Sequence, residues 1–319
     1  MWYEPFRFEF GTPVFQLDLA VIGDWQIGSS SCCLWKIDRE IDELVERTKF
    51  YREHLPWAKT AVMSVGDLGD EDRPSTRMAR AAQAAERPEV AKRDAKKHVL
   101  FLESEILPRL LRLHEGTDYG LLGGVAGHHW TFLPGGEMVG DKVLYTDVEY
   151  LYARLEKMTG KPCKYLGQMA AFVDFNFTRK MPSCNKTVRD PGFVQHGEGG
   201  GQTKSSTVMR LDRTAKGFHA DWFLRGHDCQ LLATKTDQLA ARESRGNGEG
   251  GVVAKTKAFL NLGSQTMGYE TTRGSPSYIE QGMMTPTTQG GGTMRFLVHR
   301  ASEHEDPNGN LKVTHKIEI

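Results

Sequence analysis

Four times along this chain an apolar run reaches glycine or alanine and hands over to side chains that can bind a metal ion. TAVMSVGDLGDED delivers Asp67, LAVIGDWQ delivers Asp24 and Gln26, LLGGVAGHHW delivers His128 and His129, and ADWFLRGHDCQ delivers His227 and Cys229. A shorter run, GFVQHGEGGG, delivers His196. Short apolar runs bounded by such breakers read as buried strands. The loop past a strand's carboxyl end is where α/β sheets bind ligands. Five strand ends of this kind therefore predict one rim of one sheet, with the side chains gathered at a shared site. Taken singly, an Asp after a strand is more often a turn or cap residue, and a His a satisfied core or surface imidazole. The ordered repetition outweighs those readings.

The segments between the runs specify how the sheet is connected. Val14 to Gly23 reads as a strand ending at Asp24, and the Ser-rich turn Ser29 to Ser31 leads into an amphipathic helix with Ile37, Ile41, Leu44 and Val45 on one face. The strand Ala61 to Val65 completes a β-α-β unit, for which parallel pairing is expected. Ser75 to His114 is rich in Ala, Arg, Glu, Lys and Leu and reads as a helical insert, broken at Pro88 and kinked or ended near Pro108. Its basic residues are interleaved with Glu86, Glu89, Asp94 and Glu103, so a solvated helix face accounts for them better than a polyanion-binding surface. After the strand Leu121 to Ala126, Thr146 or Asp147 is placed to cap a helix that carries Val148, Leu151, Tyr152 and Leu155 and closes at Gly160.

The second half is richer in strands. Phe172 to Thr178 alternates strictly, with Val173, Phe175 and Phe177 on one face and Asp174, Asn176 and Thr178 on the other, which predicts a half-exposed strand. Gly192 to Gln195 is a short strand, Thr203 to Lys216 a helix and Ala220 to Arg225 another strand. Leu231 to Leu239 and Val252 to Leu260 flank RESRGNGEGG as a hairpin with a long polar tip, and strands near Met294 to Arg300 and Leu311 to Ile319 are expected to finish a second sheet. No boundary splits the chain and no repeat is visible. The expected fold is α/β, a single domain over 1–319 made of two stacked mixed sheets flanked by helices, with a helical insert at about 75–114.

Composition narrows the function classes. The chain has 319 residues, 39% hydrophobic and 26% charged, and 41 basic residues balance 41 acidic ones, so no global attraction to nucleic acid or membrane is visible. No apolar run approaches the roughly 20 residues of a membrane span, and MWYEPFRFEF lacks the basic-then-apolar order of a signal peptide. Five cysteines, two of them adjacent at Cys32 and Cys33, do not form a disulfide framework. The expectation is a cytoplasmic protein in a reducing compartment.

In order, Asp24-x-Gln26, Gly66-Asp67-x-x-Asp70, Gly127-His128-His129, His196-Gly197 and Gly226-His227-x-Cys229 resemble the calcineurin-like metallophosphoesterases, whose motifs run DxH, GDxxD, GNH, H and GHxH. The resemblance covers about Val14 to Leu232. HGEGGGQT and SYIEQGMMTP are similar to a phage or prokaryotic branch, which implies a prokaryotic or phage-infected cell. The family implies a four-layer sandwich with two divalent metal ions, Zn, Mn or Fe, at the sheet edge. Carried over position by position, Asp24, Gln26 and Cys229 serve one metal, Asp67 bridges both, and His128, His196 and His227 serve the other. His129 is then no ligand; it protonates or stabilises the leaving oxygen. Trp130 stands where many relatives have an acidic residue, so the usual orienting partner of His129 is replaced, with Asp228 a candidate. Asp70 reads as the cap of the following turn rather than as a partner of a ligand.

The implied function is hydrolysis of phosphate esters, phosphodiesters first, with nucleic acid or a nucleotide as candidate substrate. Two cations neutralise the anionic ester and lower the pKa of a water aligned with the leaving group. Two other classes fit the same residues: a degenerate relative that binds nucleic acid or protein, suggested by the departures at Gln26, His128 and Cys229, and a phosphomonoesterase. The run Gly199 to Gly201 reads either as a loop whose backbone approaches metal or phosphate or as simple flexibility. Oligomeric state is not legible.

Overall fold

Phe6, Phe8 and Phe10 alternate along the first strand, Trp2–Phe10 (β1), a segment to which the motif pattern assigns no element. The computed structural model describes residues 2–29, 32–70, 96–130, 132–197, 204–228, 230–242, 251–265, 290–302 and 309–319. After β1 come Phe15–Ile22 (β2), Leu34–His54 (α1) and Ala58–Ser64 (β3). β2 and β3 pair in parallel, with Leu19 opposite Ala61, as a β-α-β unit requires.

A π-helical turn, Leu102–Ile106, then runs into Leu107–Gly116 (α2). Pro108 lies at the start of α2 without ending the helical path, directly after a wide turn that gives its ring room. The part of the expected insert around Pro88 lies outside the described residues. Leu121–Gly124 (β4) follows, then a hairpin the sequence reading missed, Phe132–Val139 (β5) and Lys142–Thr146 (β6), and Asp147–Thr159 (α3). Thr146 caps α3 in a capping box, accepting from the Glu149 N–H, and Gly160 ends it at φ 69°.

The remaining elements are Lys164–Tyr165 (β7), Ala170–Arg179 (β8), Lys186–Gln195 (β9), Lys204–Gly217 (α4), Trp222–Arg225 (β10), Leu232–Arg242 (β11), Gly251–Asn261 (β12), Gly292–Arg300 (β13) and Leu311–Glu318 (β14). They build two mixed six-stranded sheets, ordered β14-β13-β2-β3-β4-β7 and β1-β8-β9-β10-β12-β11. The late pair β13–β14 therefore extends the sheet of the first half, through antiparallel pairing of β13 with β2, instead of finishing the other one. β11 and β12 form the expected antiparallel hairpin, whose tip at 243–250 is outside the described residues.

Between the sheets lie Leu17, Leu19, Met63 and Phe296 from one side and Phe8, Val173, Phe175, Phe177 and Trp222 from the other. Each such side chain contributes roughly 1.5–3 kcal/mol by leaving water. α1, α2 and α3 cover the outer face of the first sheet through Ile37, Ile41, Leu110, Leu113, Leu151 and Leu155. α4 covers the second, with Leu211 and Ala215 on Phe193 and Phe223. The fold is an α/β sandwich of four layers. β8 keeps the expected alternation at Asn176 and Thr178, which stay half-exposed, but not at Asp174, which is buried and accepts from the Tyr3 hydroxyl and the Arg189 guanidinium. No described helix is long and apolar enough to cross a membrane.

Candidate metal centre

The four non-glycine residues of the described chain with positive φ are Asp24 (49°), Gln26 (48°), Asp67 (53°) and His227 (73°). All four stand just past the carboxyl ends of strands, and all four belong to the metal-capable set read from the sequence. Left-handed backbone costs about 1–3 kcal/mol at a residue with a side chain and persists where the surroundings enforce it.

Here the surroundings are other rim loops. The Asp24 N–H donates to the Gly66 carbonyl at 2.9 Å, the Asp67 N–H to the Ala126 carbonyl at 3.0 Å, and the Gln26 N–H to the Asp67 carbonyl at 3.0 Å. The glycines let these loops interlock. A Cβ on Gly127 would lie 2.2 Å from Asp67 Oδ1, and one on Gly66 would lie 2.7 Å from the Gly127 nitrogen.

This interlocking brings Asp67, His128, His196 and His227 together, with one ligand atom from each lying within 4.8 Å of the others. The three imidazoles form a triangle with ring centroids 4.5 to 5.0 Å apart. Asp67 Oδ1 accepts the backbone N–H groups of His128 and His129 at 2.6 and 2.8 Å, which turns Oδ2 toward the rings. Asp67 Oδ2 and His196 Nε2 lie 2.9 Å apart, yet both are buried and not aligned as a hydrogen bond.

His196 Nδ1 donates to the Val65 carbonyl at 2.8 Å, so Nε2 is the nitrogen directed at the cluster, the one that offers a lone pair once its proton leaves. Two buried atoms that face each other out of hydrogen-bond alignment, beside two more imidazoles, suit a cation. The residues present therefore fit a divalent ion.

Asp24 stands beside this group rather than in it. It is fully buried, its Oδ2 accepts the His227 N–H at 2.8 Å, and its Oδ1 has no hydrogen-bond partner. Gln26 is buried next to it, held by its backbone. Cys229 lies outside the described residues, as do the glycine run 199–201 and SYIEQGMMTP.

The charges are tightly balanced. Burial pushes the Asp24 carboxyl up, and the nearby Asp67 adds to this. Burial would also raise Asp67, but His196, His129 and the His129 N–H outweigh it and hold the carboxyl below its usual range. His227 is lowered to about 4 by burial and by the neighbouring His196 and His128, so it is neutral, as a ligand must be.

His129 is not part of the four-residue group. Its Nδ1 pairs with Asp70 Oδ1 at 2.7 Å, and its Nε2 lies 3.6 Å from Asp67 Oδ2. Two secondary readings are corrected. Asp70 is the carboxylate paired with His129, a role the sequence did not favour for it, and Asp228, the candidate for that role, pairs instead with Arg210 at 2.8 Å and Arg225 at 3.3 Å. The spacing Gly66-Asp67-x-x-Asp70 was the available signal, because one tight loop carries both carboxylates toward the same side.

No family model matches the sequence, and no curated protein matches it. Among solved structures the chain is similar to a conserved uncharacterized protein from Streptococcus pneumoniae TIGR4, described as a predicted phosphoesterase. The identity is 13% over 94% of this chain and 98% of that one, with a TM-score of 0.27.

Proposed function

We propose that the chain is a metal-dependent phosphoester hydrolase acting on phosphodiesters, nucleic acid or nucleotides among them, and that its 319 residues work as one domain. The observation that carries this reading is the meeting of Asp67 with three imidazoles, ligand atoms within 4.8 Å, beside a histidine held by a second carboxylate. Divalent ions supply charge neutralisation of the phosphate and a water acidified toward neutral pH. Asp67, His128, His196 and His227 would hold one ion; Asp24, Gln26 and Cys229, with Asp67 shared, are proposed for a second. Zn, Mn or Fe suits these donors.

The remaining chemistry belongs to His129. Its Nδ1–H donates to Asp70, which fixes the ring and stabilises its protonated form, and its Nε2 is left facing the centre. From Nε2 a proton passes to the leaving oxygen, a step that contributes typically about 10²–10⁴-fold. The test is metal content and turnover on the same preparation. Bis-p-nitrophenyl phosphate is expected to be cleaved faster than the monoester, with loss on chelation and recovery on adding Zn, Mn or Fe. Faster monoester cleavage would replace this reading with a phosphomonoesterase. Less than one metal per chain together with no hydrolysis would replace it with a binding module.

A further inference from the structure

A cavity of about 330 Å³ opens beside the centre on the outer face of the second sheet, beneath α4. Gln195 and Arg225 are register partners on β9 and β10, one strand step toward the rim from Phe193 and Phe223, which pack against α4. They therefore point to the same outer face. Arg210, Arg213 and Thr214 come from α4 at spacings of three and four, which places them on one side of the helix. Gly197 completes the wall, and a Cβ there would meet Arg225 Nε at 2.8 Å, so glycine is what lets the guanidinium sit against the backbone.

Three guanidinium groups line this cavity. Arg225 is buried and, with Arg210, shares one carboxylate, Asp228, while Arg213 is exposed at the mouth. Three guanidinium groups thus converge on one cavity, and their planar forks match phosphate oxygens. The cavity is also adjacent to the chemistry. Gln195 and Gly197 flank His196, and Arg225 is two residues from His227. At no more than about 3.6 Å per residue, its wall begins within roughly 7 Å of the ligand backbone.

We propose that this cavity is a second anion subsite, which receives a phosphate of the substrate other than the one attacked. The substrate class is then a phosphodiester carrying at least one further phosphate. This inference rests on the phosphodiesterase reading, and its test has one arm that does not.

In the first arm, kcat/KM is compared for the p-nitrophenyl ester of thymidine 5′-phosphate with and without a 3′-phosphate. The 3′-phosphate is expected to raise kcat/KM at least about tenfold, and Arg213→Gln to bring that ratio down to near one. No gain from the 3′-phosphate, or a gain that Arg213→Gln leaves intact, overturns the proposal. In the second arm the full-length chain, with chelator present, is titrated with inorganic phosphate. Arg213→Gln should weaken binding at least about tenfold. Equal affinity in the two proteins, or no binding to either, overturns the subsite. If neither ester is cleaved, the phosphodiesterase reading fails, and the titration alone decides whether the cavity holds phosphate.

Discussion

Asp67 and His129 sit side by side but carry different loads, and substitution should separate them. Asp67 directs Oδ2 into the cluster while its Oδ1 anchors the next loop, so Asp67→Asn is expected to remove metal and turnover together. The His129 ring stands 3.6 Å from Asp67 Oδ2, and its backbone N–H bond to Asp67 survives substitution, so His129→Ala should keep the metal and lose about 10²–10⁴-fold in kcat. Metal analysis and kinetics on both variants check this; an Asp67→Asn protein with full turnover would remove the bridging role.

His196 makes metal binding depend on pH. Burial lowers its pKa, the Asp67 and Asp24 carboxylates more than reverse that, and the balance lies at about 9 in the metal-free chain. An ion must displace the Nε2 proton, so below about pH 9 apparent affinity should climb about tenfold per pH unit for each proton released, then level off. Equilibrium titrations with Zn or Mn across that range test the sign, and a flat profile would take His196 out of the ligand set. The four clustered residues were legible in sequence because each follows its own strand. Asp70 was not, since its partner His129 lies 59 positions away and an Asp after a turn has a commoner use.

The rim loops are an interlocked set in which each glycine makes room for its neighbour's ligand. Gly127 shows how tightly. It has φ 89°, and a Cβ there would fall 2.2 Å from Asp67 Oδ1 and 2.7 Å from the Asp67 nitrogen. Gly160, at φ 69°, has nothing within 4 Å of the same added atom. Both substitutions to alanine pay the left-handed backbone cost of about 1–3 kcal/mol. Gly127→Ala should add displacement of Asp67 and so be the more destabilising, with lower metal content, whereas Gly160→Ala should leave metal content unchanged. Thermal unfolding and metal analysis of the pair decide it; equal losses would mean the loops are slack.

At this scale the sequence was clearest where an element announces its own ends. The capping box at Thr146 and the glycine at 160 bracket α3. β1 carries no such marks, and its pairing with β8 joins residues about 170 positions apart, which no local pattern encodes.

Across the whole molecule, a buried polar pair ties the sheets together away from the rim. Asp190 of β9 and His315 of β14 meet at 2.8 Å, both buried, with Phe296 edge-on to the imidazole. Burial raises the Asp190 carboxyl and His315 opposes that rise. His315→Ala would strand the carboxylate and should cost about 3–5 kcal/mol near neutral pH. A carboxyl whose folded pKa is raised is disfavoured when ionised, so the loss should shrink as pH falls through that pKa. Urea unfolding of both proteins at neutral and acid pH measures it, and a loss independent of pH would mean the cost is one of packing. The two-sheet sandwich was legible from strand count and alternation. The sheet that β13 and β14 join was not, because hydrophobic period says which face is buried but not which neighbour is chosen.

The four left-handed residues give this chain a way of recording its own history. Asp24, Gln26, Asp67 and His227 hold a backbone shape that glycine adopts without strain and asparagine more easily than most. In a descendant without use for the proposed cation, drift at these positions would run downhill toward those two residues. Related chains with glycine or asparagine at positions 24, 26, 67 and 227 would thus mark lineages in which the chemistry has lapsed while the sandwich endures.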